Sequence, residues 1–356
     1  MYSETDLQAA VEAGAISAHA ADALRNHVAT LRSSPLVDEE NFRLLTGFND
    51  IFVAIASTIL LVAVGWLGAS VPLGAGVNQP SPIMGLLVAA AAWGLAEYFT
   101  RVRRMALPSI LLLLAFAGGV GAFLLAIADR IDGNLQGRSG ALLWAVVAAI
   151  TAGAIWLHWR RFMVPITVAA GAAALACLGV ALILAIFPDL ADAPNTLYWL
   201  ALLAGFAIFA LAMRWDMQDR SRTTRRADVA FWLHLTAAPM IAHSMFHLLG
   251  VFNGAMGIGT AMTVLLLYVA FGLVALAIDR RALLVSSLAY VLYALYALFE
   301  QAGAVELSAA FTALVIGSAL LLLSAFWHRA RKLVVEGLPD TIRGRLPYLD
   351  REVVPA

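Results

Sequence analysis

Long apolar runs alternate with short polar breaks along most of the chain. Between residues 51 and 327 the apolar runs are about 17 to 24 residues long, and the breaks contain arginine, glycine or proline. A helix of about 20 residues crosses a hydrocarbon core of ~30 Å. Because backbone groups in lipid must be hydrogen-bonded within their own segment, each run should be helical. The pattern therefore predicts an all-α, polytopic transmembrane helical bundle.

The runs predict about ten spans. They lie at residues 51–69, 82–99, 106–128, 141–158, 164–187, 196–213, 228–249, 260–278, 282–299 and 307–327. Only the three residues Asp279, Arg280 and Arg281 separate spans eight and nine, so these two helices should turn back at once and pack as a hairpin.

The composition agrees with a membrane protein. Of the 356 residues, 62% are hydrophobic and 13% are charged, whereas soluble domains average about 25% charged residues. A water-soluble fold of this length could not bury so much apolar surface.

Positive charge predicts the orientation. All lysines and arginines except Arg130 and Arg138 fall in the breaks after even-numbered spans or in the two terminal segments. Basic residues concentrate on the cytoplasmic side of multi-pass proteins. We therefore expect a protein of the cell inner membrane with both termini in the cytoplasm.

Paired arginines recur at 103/104, 160/161, 225/226 and 280/281. The spacing of about 60 residues suggests four repeated helical hairpins flanked by spans one and ten. The alternative is that any polytopic protein collects arginines at its cytoplasmic turns.

The terminal segments are polar. Residues 1–33 predict a small cytoplasmic helical pair, with a capping box at Thr5 and Gln8, Gly14 closing the first helix and Ser17 capping the second. Residues 34–50 form a juxtamembrane linker with an amphipathic segment, and residues 328–356 form a cytoplasmic tail. The helical pair is too small for a stable independent core, so the two helices should dock on each other, on the cytoplasmic membrane face or on a partner chain.

Three short segments carry a family resemblance. "VEAGAISAHAADAL" (11–24), "WGLAEYFTRVRRMALPS" (93–109) and "GLPDTIRGRLP" (337–347) resemble a family of uncharacterised bacterial multispan inner-membrane proteins that open with a short helical pair. The resemblance implies the architecture and brings no reaction, ligand or catalytic residue.

Ionisable side chains are rare within the spans. Glu97, Asp279 and Glu300 lie near span ends, where we expect solvent to reach them, and Glu97 can pair with Arg101 one turn further on. Glu97 remains a candidate functional polar residue. An ion-coupled carrier normally shows a deep carboxylate, so the pattern disfavours that class.

Span seven contains three histidines. His243 and His247 share one helix face and could ligate a metal or haem if other spans supplied further ligands, while His234 should point the opposite way. The alternatives are hydrogen bonds between helices and a proton relay. No Cys, His or Asp cluster elsewhere in the sequence supplies a clear third ligand, so we predict no cofactor.

Three further patterns have weaker implications. Tyr290, Tyr293 and Tyr296 could line a cavity or could simply pack in the membrane. Small residues predict close helix contacts in two spans, at Gly118, Gly119 and Gly121 and over residues 169–179. The one cysteine, Cys177, excludes an intramolecular disulfide.

Three function classes remain. The sequence favours a non-catalytic scaffold, assembly partner or sensor that contacts membrane lipid and binds a protein partner through its terminal segments. A transporter for a neutral or apolar solute is the first alternative, and a metal- or haem-dependent enzyme using His243 and His247 is the second. The membrane topology accounts for the arginines in the loops, so we expect no nucleic-acid partner.

Overall fold

The computed structural model describes residues 10–24, 48–71, 81–220, 222, 224–251, 257–301 and 308–349. Within these ranges the regular structure is helical and contains no strand. The chain divides into two compact units, residues 1–43 and residues 44–356.

The N-terminal unit contains two short helical segments, at residues 10–12 and 18–24. Gly14 has a positive φ of 69° directly after the first segment. The Ser17 hydroxyl oxygen accepts a hydrogen bond from the Ala20 N–H at 3.1 Å. Both predicted helix boundaries are confirmed, while Thr5 and Gln8 lie outside the described residues.

The second unit contains ten helices that are each long and apolar enough to cross a bilayer, counted over the described ranges. They are α1 (Phe48–Ala69), α2 (Pro82–Ala96), α3 (Ala106–Ile131), α4 (Gly137–Phe162), α5 (Ile166–Ile186), α6 (Thr196–Gln218), α7 (Arg225–Leu248), α8 (Ile258–Ile278), α9 (Ala282–Gln301) and α10 (Ser308–Ala325). The protein is therefore a multi-pass integral membrane protein, as the sequence predicts.

Four shorter elements complete the described fold. A π-helical segment, Glu97–Val102, continues α2, and a 3₁₀ turn, Pro188–Ala191, follows α5. After α10 the chain forms α11 (Trp327–Glu336) and the single turn α12 (Asp340–Arg343).

The loop between spans six and seven is shorter than predicted. The sequence indicates a long loop over residues 214–226, but α6 continues to Gln218 and α7 begins at Arg225. The Thr224 side chain caps α7 by accepting a hydrogen bond from the Arg226 N–H at 3.2 Å. The helices extend because the charged side chains in this stretch find buried partners.

Four pairs of consecutive helices pack as hairpins, while their being a repeat stays a prediction. The most extensive packing in the bundle joins α2 to α3, α4 to α5, α6 to α7 and α8 to α9. Each pair is connected through one of the turns that carry or adjoin paired arginines. The origin of these hairpins by duplication stays a prediction.

Side chains from different turns contact one another. Arg161 at the end of α4 bonds to Glu97 of the segment after α2, and Arg225 of α7 donates to the Met163 carbonyl at 3.5 Å. Arg222, in the turn between α6 and α7, pairs with Asp279 after α8. The four turns therefore lie at one end of the bundle, which we call the arginine end. Its assignment to the cytoplasm stays a prediction.

Glycines let α2 and α3 cross closely. A Cβ atom at Gly119 would lie 2.7 Å from the Ala89 amide nitrogen and 2.8 Å from the Gly85 carbonyl oxygen. At the adjacent Gly118 the same atom would meet nothing within 4 Å. Only Gly119 of this pair is therefore required for the backbone approach.

We expect Gly119→Ala to destabilise the bundle by about 1–3 kcal/mol, because its methyl group would force the two backbones apart. Gly118→Ala should be neutral or stabilising by up to about 1 kcal/mol, because alanine favours the helix. Unfolding of the two purified variants in the same micelle measures the difference. Equal stability of the two would contradict the close crossing.

Candidate functional site: a buried ionic network and an apolar cleft

Asp216 is the centre of a buried ionic network at the arginine end. One carboxylate oxygen accepts a hydrogen bond from Arg280 at 2.7 Å, and the other lies 2.8 Å from Nε2 of His234. All three side chains are at most 4% exposed. Arg280 also donates to the Ala227 carbonyl at 3.1 Å. The network therefore joins α6, α7 and the turn after α8.

Asp279 is the second buried carboxylate of the network. It ends α8 in a left-handed conformation and accepts hydrogen bonds at 2.8 Å from Arg222 and from the indole N–H of Trp327. The Arg331 Nε atom lies 3.7 Å from it. Arg222 also donates to the Ile278 carbonyl at 2.9 Å. Asp279 therefore connects the bundle to α11.

Two arginines hold the segment after α11 against the arginine end. Buried Arg331 donates to the carbonyls of Pro347 at 2.9 Å and Tyr348 at 3.1 Å. Arg220 donates to the Leu346 carbonyl at 2.7 Å, and its guanidinium lies 4.2 Å from the Tyr348 ring centre. We call residues 327–349 the C-terminal segment. It is a folded part of the bundle end.

The buried charges balance. Asp219, in the turn between α6 and α7, is a third buried carboxylate and accepts hydrogen bonds from the Thr224 N–H at 2.9 Å and the Thr224 hydroxyl at 2.6 Å. With it, the buried carboxylates of the network are Asp216, Asp219 and Asp279, and the buried guanidinium groups are Arg222, Arg280 and Arg331. Burial lowers the pKa of the Arg222 guanidinium to about 10, with the nearby Arg280 charge adding to the effect and Asp279 opposing it. Arg222 therefore stays charged at neutral pH. Removing one member of such a pair is costly because the other charge stays buried without compensation.

The expectation that solvent reaches Asp279 is wrong, since the residue is 5% exposed. Sequence reasoning also missed Asp216, Arg222, Arg280 and Arg331, because it explained the charges near the turns by topology alone. The pairs join residues that are distant in sequence: Asp216 and Arg280 are 64 residues apart. The sequence did contain one indication of a buried carboxylate: in "RWDM" (214–217), Asp216 lies between two apolar residues.

Glu97 forms the predicted pair with Arg101, at 3.4 Å, and a closer pair with Arg161. Its two carboxylate oxygens accept bonds from Arg161 at 2.7 and 2.8 Å. The Glu97 and Arg161 side chains are 34% and 40% exposed. This pair ties the ends of two hairpins together at the surface of the arginine end.

The three histidines of α7 hold different positions. His234 points into the ionic network and packs against Phe209 of α6. Its orientation opposite to His243 stays a prediction. The Nδ1 atom of His243 lies 2.6 Å from the Tyr290 hydroxyl of α9, while the His247 ring stacks on Tyr198 at 3.5 Å. The hypothesis of hydrogen bonds between helices is therefore confirmed for His234 and His243.

His243 and His247 have ring centres 6.3 Å apart. No group of three His, Cys, Asp or Glu side chains suited to a metal ion occurs among the residues that the structure describes. Tyr293 and Tyr296 are exposed on the outside of α9, at 42% and 37%. Of the three tyrosines, only Tyr290 contacts the histidine pair.

His158 is a further buried polar residue that sequence reasoning did not single out. It is 0% exposed, and its ring packs against Trp93, Phe116 and Phe162 at centroid distances of 4.5–5.9 Å. Neither ring nitrogen has a hydrogen-bond partner within the described ranges. The imidazole here acts as an aromatic filler between α2, α3 and α4.

An apolar cleft of about 900 Å³ lies between α4, α5 and α6, toward the end opposite the ionic network. Its mouth includes Gln136, Asp189 and Asp192, and its wall reaches Ala173 in the middle of α5 and Met240 of α7. The volume is typical of small-molecule sites. His243 and His247 are not among its lining residues.

Small side chains create the cleft. Ala173, Ala176 and Cys177 of α5 face Ala201 and Ala204 of α6 across it. The sequence predicts that the small residues of span five support close helix contact; Ala172 and Ala176 do pack against the core, and Ala173, Ala176 and Cys177 also line the cleft. On the cleft side they leave an open volume instead of a tight interface.

Comparisons of this chain with models of protein families, with curated proteins and with solved structures find no match. The resemblance of the terminal segments to a bacterial inner-membrane family therefore stays an expectation.

We expect Asp216→Asn to lower the free energy of unfolding by about 3–5 kcal/mol, because Arg280 would keep a buried charge without its carboxylate. Glu97→Gln removes one negative charge from a half-exposed pair at the same bundle end and should cost about 1 kcal/mol or less. Denaturant titration of both variants in one micelle type tests the contrast. Similar losses in the two variants would show that burial does not set the strength of the network.

Proposed function

We propose that the protein is a non-catalytic membrane scaffold or sensor whose C-terminal segment binds a protein partner at the arginine end. One observation carries this proposal. Buried Arg331 and the neighbouring Arg220 donate hydrogen bonds to the backbone carbonyls of residues 346–348 and so fix the segment in one position. A segment held in one position presents a fixed surface, which lowers the ordering cost of binding a partner.

The outer face of the C-terminal segment has the character of a binding surface. Leu333 is 75% exposed and Ile342 is 47% exposed. Arg329 and Lys332 are exposed on the same short helix as Leu333. Glu336 and Asp340 are also exposed on this segment, and Glu336 lies 3.8 Å from Lys332. Exposed apolar side chains among charges of both signs favour a partner surface that is apolar at its centre and carries complementary charges at its rim.

The ionic network supports a positioning role. Its carboxylates contact guanidinium, imidazole, hydroxyl and indole groups of the chain itself. A reacting carboxylate would need access to a substrate, whereas these groups are buried and hold helices and a segment in place. This arrangement supports the non-catalytic class.

The test uses Arg331→Met, which removes the buried guanidinium but keeps much of the side-chain volume. We expect the C-terminal segment to be cleaved several-fold faster by chymotrypsin, because its backbone hydrogen bonds to Arg331 are lost. In native gels of mildly solubilised membranes, we expect the wild-type chain in an assembly larger than itself, and the variant outside that assembly.

Arg103→Met is the matched control, since Arg103 is an exposed arginine at the same end. It should change neither the cleavage rate nor the size of the assembly. A wild-type chain that migrates alone would contradict the scaffold proposal. So would an Arg331→Met chain that is cleaved faster yet stays in the assembly.

The cleft favours a second candidate function, the binding or passage of a neutral or apolar solute. Its wall extends from the bundle end to the middle of α5, which is about half of the path across the membrane. A metal- or haem-dependent enzyme gains no comparable support, because the described part of α7 offers two histidines that already contact tyrosines.

A further inference from the structure

We propose that the cleft binds a cationic amphiphile, with its apolar chain between α4, α5 and α6 and its amine or ammonium group at Asp189 and Asp192. This inference rests on the second candidate function, the binding of a solute in the cleft, and departs from it in one respect: the apolar chain of the solute carries a cationic head group.

The wall of the cleft fits an apolar chain. It is formed mainly by aliphatic side chains with Trp144 on one side and Met240 at the far end. From Ile186 at the end of α5 to Ala173 the helix rises about 20 Å, which gives room for a long alkyl chain lying along α5. The small side chains at 173, 176 and 177 leave that room open.

The mouth of the cleft is acidic. Asp189 and Asp192 are both exposed and both belong to the lining, whereas no lysine or arginine does. Arg138, which follows the lining residue Gly137, donates to the carbonyls of Ala185 and Ile186 at the end of α5. The Arg138 guanidinium keeps its positive charge there and offsets part of the negative charge, but the two carboxylates of the lining outnumber it.

This charge distribution selects among amphiphiles with the same chain. A cationic head group is attracted by both carboxylates, a neutral head group by neither, and an anionic head group is repelled by both. Because the carboxylates are exposed, water and salt weaken the attraction. The expected preference for the cation over the neutral amphiphile is about fivefold.

Cys177 provides the measurement because it is the only cysteine of the chain and is exposed in the cleft wall. The full chain is placed in phosphatidylcholine nanodiscs at pH 7, and the rate at which N-ethylmaleimide modifies Cys177 is followed by mass spectrometry. Dodecylamine, dodecanol and dodecanoate, which share one chain length, are added in turn.

We expect dodecylamine to slow the modification of Cys177. The same degree of protection should need about a fivefold higher concentration of dodecanol and a still higher concentration of dodecanoate. In the double variant Asp189→Asn with Asp192→Asn, dodecylamine and dodecanol should protect Cys177 equally well at the same concentration. Asp129→Asn, which removes a carboxylate near the end of α3 outside the cleft lining, should keep the preference.

A second control moves the thiol. In Cys177→Ser with Leu175→Cys the cysteine lies on the same helix at nearly the same depth, at a position that is 58% exposed and outside the cleft lining. None of the amphiphiles should protect it. Equal protection at position 175 would show that the amphiphiles act through the bilayer, and would overturn the inference and the second candidate function together.

The remaining outcomes separate the two claims. Equal protection of Cys177 by all three amphiphiles would overturn the head-group inference and leave solute binding in place. If Cys177 is not modified when no amphiphile is present, or if no amphiphile protects it, both the head-group inference and the second candidate function are overturned. If the double variant still prefers dodecylamine over dodecanol, Asp189 and Asp192 do not bind the head group.

Discussion

The buried pairing of Asp216 with Arg280 is the interaction on which the arrangement of the bundle most depends. In a medium of low dielectric constant an unpaired charge is far more costly than a paired one. The end of α6 must therefore lie beside the turn after α8, with Ala227 of α7 as a third contact. Because Asp279 is adjacent to Arg280 in sequence, the same turn also positions Trp327. One ion pair thus sets the register of three helices and of the C-terminal segment.

The two ends of the bundle have opposite chemistry. The arginine end is closed by paired charges and hydrogen bonds, whereas the other end is open at an apolar cleft with an acidic mouth. Two helices, α6 and α7, contribute to both features, through Asp216 and His234 at one end and Ala204 and Met240 at the other. A sensor and a solute-binding protein would use these features differently, but both need a rigid end that holds the helices while the cleft accepts a ligand.

Much of the fold can be predicted from the sequence because hydrophobic length and arginine position depend on local composition. The ten helices and the four hairpins follow from these two patterns. The ionic network could not be predicted in the same way, because its pairs Arg222–Asp279 and Asp216–Arg280 join charges 57 and 64 residues apart. Each of these charges also has a sufficient local explanation as a residue near a turn. The cleft could not be predicted from the sequence for a different reason. Small residues such as Ala173 and Ala176 permit either close contact or an open volume, and only the packing of the neighbouring helices decides between the two.

The central claim is that all arginine-bearing turns and the C-terminal segment share one face of the membrane. The most direct measurement is labelling of single cysteines in oriented, sealed vesicles, on a Cys177→Ser background. Replacement of Arg160, Arg225 and Arg329 by cysteine should give three sites that a membrane-impermeant maleimide reaches from the same side, and Asp189→Cys should react from the other. Labelling at 160 and 225 from opposite sides would contradict the account.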